Sequence, residues 1–115
     1  MGWTETGVAS WYGHPYHGRR SANGEVYDME QLTAAHPTLP FDAWVRVKNL
    51  DHDDSAVEVR ITDRGPFVKG RILDLSRGAA SRIGMIGPGT ARVRLEVIRA
   101  PHDAQTAAVF AVQVG

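Results

Sequence analysis

The chain has 115 residues, 43% hydrophobic and 23% charged, with 13 Lys plus Arg against 13 Asp plus Glu and no cysteine. This is globular composition, sized for one domain whose core needs no disulfide or metal staple. Disulfide frameworks, thiolate metal sites and a thiol nucleophile are excluded, no apolar run reaches the roughly 20 residues that span a bilayer, and the balanced charge argues against a nucleic-acid partner held by phosphate neutralisation.

The charge is unevenly spread, with a net −5 over residues 1–58 and +6 over 59–99. Arg46, Lys48, Arg60, Arg92 and Arg94 fall on the outward positions of alternating segments. A solvated strand face accounts for them better than a polyanion site.

In chain order, Met1-Gly2 reads as an expression start within a leader over residues 1–6, and Thr6–Tyr12 alternates weakly as a first strand. His14 and His17 follow in G-H-P-Y-H-G, where Pro15 prevents a regular helical pairing of two metal ligands, so they read as loop histidines. Asn23-Gly24 marks a tight turn, and Asp28 with Gln31 opens a single turn that closes before Pro37. Val45 and Val47 alternate with Arg46 and Lys48, as do Val57, Val59 and Ile61 with Glu58, Arg60 and Thr62. The turn-forming stretch Asn49–Ser55 between them predicts a hairpin with a polar tip. Ser76 caps a short helix with Ala79, Ala80 and Ile83 on one face, ended by Gly84. Val93, Leu95 and Val97 form the last alternating strand. Residues 100–109 have linker composition, and 110–115 turn strand-like again. Many short strands, 12 Gly, 6 Pro and one short helix predict a mainly β barrel or sandwich.

Phosphate-loop, dinucleotide, nucleophile-elbow and helical zinc signatures are absent from the sequence. Three polar residues sit where loops can aim them. Asp63 opens D-R-G-P-F, whose Gly65 and Pro66 turn the chain and leave the carboxyl at a rim. It can serve as an acid, or accept backbone hydrogen bonds in its own turn with Arg64 as ion partner. Glu25 in S-A-N-G-E reads equally as a solvated glutamate, and His36 beside Pro37 as a hydrogen-bonded structural histidine. Together they permit glycosidic cleavage, which needs a proton donor and a stabiliser for an oxocarbenium-like centre. Trp11, Tyr12, Tyr16 and Tyr27 can flank sugar faces or pack in the core.

The ordered series A-S-W-Y-G (9–13), G-R-R-S-A-N-G-E (18–25), L-T-A-A-H-P-T-L-P-F (32–41), V-R-V-K-N-L (45–50), V-R-I-T-D-R-G-P-F-V-K-G-R-I-L-D-L-S (59–76), A-A-S-R-I-G (79–84) and V-R-L-E-V (93–97) resembles the rare lipoprotein A (RlpA) family of bacterial septal-ring lytic transglycosylases. The resemblance implies a six-stranded double-psi β-barrel with one short helix over residues 7–99, and it makes F-A-V-Q-V-G (110–115) look like the start of a glycan-binding SPOR domain. It implies cleavage of the β-1,4 bond between N-acetylmuramic acid and N-acetylglucosamine in peptide-poor strands, without cofactor or metal, leaving 1,6-anhydromuramyl ends. Asp63, His36 and Glu25 match the family's catalytic set, with Asn23, Arg64, Trp11 and Tyr12 as glycan contacts. It also implies peptidoglycan and divisome partners, a monomeric fragment, and a periplasmic place at the septum, with an export signal and lipid-bearing cysteine ahead of Met1.

One departure stands out. Where the family usually continues L-P-F-G-T, this chain has Leu39-Pro40-Phe41-Asp42-Ala43-Trp44. That replacement is expected to reshape the loop and, if the loop borders the groove, to raise a neighbouring acid's pKa by like-charge repulsion. A non-catalytic wall-binding or scaffolding module using Arg19, Arg20, Arg64 and Arg71 is the main alternative. A metal-assisted hydrolase built on His14, His17 and His36 is the remoter one.

Overall fold

A computed structural model describes residues 3–101. Six strands, β1 (Thr4–Tyr12), β2 (Thr33–Ala35), β3 (Trp44–Asn49), β4 (Ser55–Asp63), β5 (Arg71–Ser76) and β6 (Thr90–Arg99), close a barrel in the order β1-β5-β2-β4-β3-β6, and one helix, α1 (Arg77–Arg82), packs against it. β1/β5 and β2/β4 pair in parallel, and the remaining neighbours run antiparallel. Closure removes every sheet edge, so no strand of the barrel offers an unpaired ladder.

The barrel interior is filled by the apolar half of each alternating strand. Val45, Val47, Val59, Ile61, Leu73, Leu75, Val93 and Leu95 are fully buried, joined by Ala79, Ala80 and Ile83 of the helix region. The predicted hairpin is β3/β4, in register from Trp44 opposite Arg60 to Asn49 opposite Ser55. Its tip turns through Asp53 and Asp54, both in the left-handed region at φ 51° and 56°, which short polar side chains tolerate. Ser76 caps α1 by accepting from Ala79 N at 3.2 Å, as its sequence position predicts. A Cβ on Gly78 would overlap the Glu30 carbonyl, and its own N–H donates to Met29 O at 2.7 Å, so this glycine lets the helix start sit against the 28–31 turn.

Two strands escape the periodicity. β2 has three residues, Thr33-Ala34-Ala35, all buried, and β5 was visible only within the family resemblance. Alternation reports a strand with one wet face, and β2 has none. The predicted turn at Asp28–Gln31 exists, with Gln31 N donating to Asp28 O at 3.1 Å, but the chain leaves it as strand β2 before Pro37. The leader reading over residues 1–6 also needs correction. β1 starts at Thr4, opposite Glu96, and Trp3 packs against the core. The linker and SPOR readings fall, beyond Pro101, outside the described residues.

Candidate active site

A groove of ≈ 410 Å³ opens at the end of the barrel where β1, β5, β2 and β4 lie side by side. Register decides which side chains face it. Ala34 pairs with Ile61 and Leu75, all core residues, so the next position, Ala35, presents the opposite face. A bulge in the β2/β4 pairing skips Thr62 and sets Asp63 opposite Ala35, while Asp74 of β5 pairs with Ala35 from the other side. Bulges re-aim side chains in this way next to functional sites. Ser10, Ala35, Asp63 and Asp74 all line the groove.

Asp63 sits where the sequence aims it. Its Oδ1 accepts from Ala22 N and Arg64 N, both at 2.9 Å, which makes its own turn and also docks the 21–25 loop onto β4. Gly65, at φ 119°, turns the chain away immediately after it, a conformation open to glycine alone. Arg64 makes no ion pair with Asp63. Its guanidinium donates to Leu39 O at 2.8 Å and His36 O at 3.2 Å and lies 4.0 Å from the centre of the Phe41 ring, so it clamps the 36–41 loop along the groove wall. Burial holds its pKa below the usual guanidinium value, against the opposing pull of Asp63.

The aromatic wall joins Trp11, Tyr12 and Tyr16 to Phe67 and Val68, the last two 82% and 58% exposed. Exposed apolar side chains beside a polar trough are what a sugar ring's two faces require. Tyr12 stacks on Tyr27 with ring centroids 4.4 Å apart, and its buried hydroxyl has no hydrogen-bond partner. Burial raises its pKa most, with Tyr27, Asp63 and Asp74 adding to the shift. Tyr27 itself is 4% exposed and belongs to the core.

His36 and Glu25 do not join Asp63 in the groove. His36 follows Ala35, so the alternation of β2 turns its ring to the other face, where it is 3% exposed. Its Nδ1 accepts from Thr38 N and Leu39 N at 3.1 and 3.0 Å, which assigns the proton to Nε2, donated to Glu5 Oε1 at 2.9 Å. Burial pushes the imidazole below its usual pKa, opposed by Glu5. Its backbone N–H donates to Asp63 O at 3.1 Å, so His36 reaches Asp63 through the main chain. Committed at both ring nitrogens, it stands apart from His14 and His17, whose rings pack edge to face at 5.7 Å.

Glu25 grips Arg60 with both oxygens, at 2.7 and 2.8 Å, and Arg60 also donates to Asp42 at 2.9 Å. The Arg60 hydrogen bonds hold the Glu25 carboxyl below the usual carboxylate range. Asn23 Oδ1 accepts from Glu25 N at 3.0 Å and shapes that loop from outside the groove.

The profile of the lytic transglycolase family matches residues 4–95. The chain belongs to this family. The endolytic peptidoglycan transglycosylase RlpA of Vibrio cholerae is 57% identical over 97 residues, covering 84% of this chain and 36% of that protein. The protein of the same name from Campylobacter jejuni is 56% identical over 98 residues, 85% of this chain and 35% of that one. The chain thus spans about a third of the length of these curated relatives. Among solved structures, the Streptomyces papain inhibitor superposes with a TM-score of 0.70 at 19% identity, over 86% of this chain and 97% of that one. A Clavibacter michiganensis expansin gives 0.67 at 17%, over 88% and 53%. These two likenesses establish the fold, the double-psi β-barrel the sequence resemblance implies.

Within this lytic transglycolase domain, the departure at Asp42 has a local explanation. Asp42 adopts φ 71°, the left-handed conformation that suits a glycine, and its N–H donates to Ile61 O at 2.8 Å. An aspartate therefore holds a backbone conformation that glycine adopts freely. Asp42 does not line the groove, and its carboxylate meets Arg60. Sequence reasoning missed Ser10, Asp74, Phe67 and Val68 as groove residues. The signal for Asp74 is an acid set between two core leucines, Leu73 and Leu75, in R-I-L-D-L-S.

Proposed function

We propose that this chain is the catalytic domain of an endolytic peptidoglycan lytic transglycosylase. It cleaves the β-1,4 bond between N-acetylmuramic acid and N-acetylglucosamine in peptide-poor glycan. The observation that carries this reading is Asp63, a carboxyl in an aromatic-walled groove with one oxygen fixed by two backbone N–H groups and the other without a hydrogen-bond partner among the described residues. The names of relatives at 50–57% identity support the same chemistry.

Asp63, protonated, donates to the glycosidic oxygen as the C1–O bond breaks. The C6 hydroxyl then attacks C1 and returns its proton to Asp63, so the new end is 1,6-anhydromuramyl and no water is consumed. Glu25 and His36 act as positioning residues: Glu25 anchors the loop that presents Ala22 N–H, and His36 supports Asp63 through its backbone and the Thr38–Leu39 turn. Trp11 and Tyr12 contact sugar faces, Arg64 shapes the wall, and Asn23 supports the loop rim. The domain works at the cell envelope on septal peptidoglycan, in a parent protein that carries a lipid anchor and a SPOR domain and meets divisome proteins.

Incubation with sacculi stripped of stem peptides, followed by mass spectrometry, tests this. Anhydromuramyl products that fall by about 100-fold or more in Asp63→Asn support it. Glycan that pellets with the chain and yields no products would assign the groove to a binding module instead.

A further inference from the structure

The groove holds a second carboxylate with no role in the mechanism above. Ser10, Asp74, Ala35 and Asp63 form one row across the adjacent strands β1, β5, β2 and β4, each in register with the next. Ser10 Oγ donates to Asp74 Oδ1 across the parallel β1/β5 pair and fixes the carboxylate's orientation. Asp74 makes no ion pair among the described residues, and neither does Asp63. Between them stands Ala35, whose single methyl leaves a trough. Strands two apart in a sheet place their Cα atoms about 10 Å apart, within reach of the spans at which carboxyl pairs flank a scissile glycosidic bond. Asp74 Oδ2 lies 3.9 Å from where a Gly65 Cβ would be, so the loop that carries Asp63 also borders Asp74. Both carboxylates bear on Tyr12, so they address one space.

Among the described residues no cation meets either acid although both line one groove, so a positive charge arising there would find two unpaired carboxyls. We propose that Asp74, held by Ser10, is a second catalytic carboxylate that faces the sugar ring and offsets the positive charge arising at C1. This rests on the transglycosylase reading. Asp63 gives its proton to the glycosidic oxygen, which keeps the electron pair of the broken C1–O bond. Asp74 forms no bond and takes no proton. The C6 oxygen supplies the pair for the new bond to C1, and its proton restores Asp63, so no co-reactant is needed.

The test compares the 115-residue chain with Asp74→Asn, Ser10→Ala and Ser10→Thr, scoring anhydromuramyl products and co-sedimentation with stripped sacculi. Expected are a loss of about 100-fold or more in product rate for Asp74→Asn and about tenfold for Ser10→Ala, recovery in Ser10→Thr, and sedimentation within about threefold throughout. An Asp74→Asn chain that turns over within about threefold of the unsubstituted one overturns the proposal while leaving the transglycosylase reading intact. If the unsubstituted chain makes no product, that reading fails, and calorimetry with a cationic piperidine analogue of N-acetylmuramic acid then judges Asp74 separately. A loss of about tenfold in Asp74→Asn for the cation but not for a neutral N-acetylglucosamine oligomer upholds a carboxylate built to meet positive charge, and equal binding overturns it. Should Asp74→Asn lack the folded circular dichroism spectrum, Ser10→Ala against Ser10→Thr decides in the same assays.

Discussion

Two pairs of acids sit on this barrel in opposite circumstances. Glu25 and Asp42 lie outside the groove and share Arg60, which bonds both. Asp63 and Asp74 lie inside it, hydrogen-bonded by neutral N–H and O–H groups and without a cation among the described residues. The first pair ties the 21–25 loop and the Asp42 turn to β4, work for which a fixed ion pair suffices. The second pair leaves its carboxyl groups available to whatever enters. A carboxylate bound to arginine is a poor proton donor, because the partner favours the ionised form. Motif membership alone would have treated Glu25 and Asp63 alike, and the partner of each acid separates them.

The strongest way to break this comparison is to remove what supports Asp63 from behind. His36→Ala leaves the Thr38 and Leu39 N–H groups without an acceptor and empties a buried site. It should cost about 2–4 kcal/mol of stability, read as a lowered denaturant midpoint. A stable His36→Ala chain that is nonetheless inactive would place the imidazole in the chemistry.

Glu25→Gln is milder. Loss of the exposed Arg60 pair should change stability by under about 1 kcal/mol, while loosening of the Ala22 loop lowers product rate by about tenfold with glycan affinity retained. A complete loss of turnover in a folded Glu25→Gln chain would dissolve the contrast between the two pairs of acids.

pH sharpens the contrast between buried and exposed groups. The folded His36 imidazole titrates below its ordinary 6.5, so the unfolded chain takes up that proton first. Its contribution is therefore full above 6.5 and falls as pH drops from there toward the lower folded value. Melting temperature should decline between about pH 7 and about pH 5, and the decline should shrink in His36→Gln.

Asp42→Gly should have the smallest effect. Relief of the left-handed conformation at Asp42 opposes loss of one Arg60 bond, leaving stability within about 1 kcal/mol and turnover unchanged. A marked change in turnover would mean that Asp42 communicates with the groove.

Local physics was enough for much of this molecule. Alternating valines in β3, β4 and β6 marked their wet and dry faces, Asn49–Ser55 marked the hairpin tip, and Ser76 marked the helix start, because each depends on neighbours in sequence. The D-R-G-P-F turn placed Asp63 at a rim for the same reason. What the barrel alone decided was company. β2 is too short and too fully buried to show a period, yet its pairing sets Ala35 between Asp63 and Asp74, faces His36 away from both, and brings Ser10, Ala35, Asp63 and Asp74, 11 to 64 positions apart, to one groove. Side-chain facing follows from register, and register between strands distant in sequence is fixed only when the barrel closes.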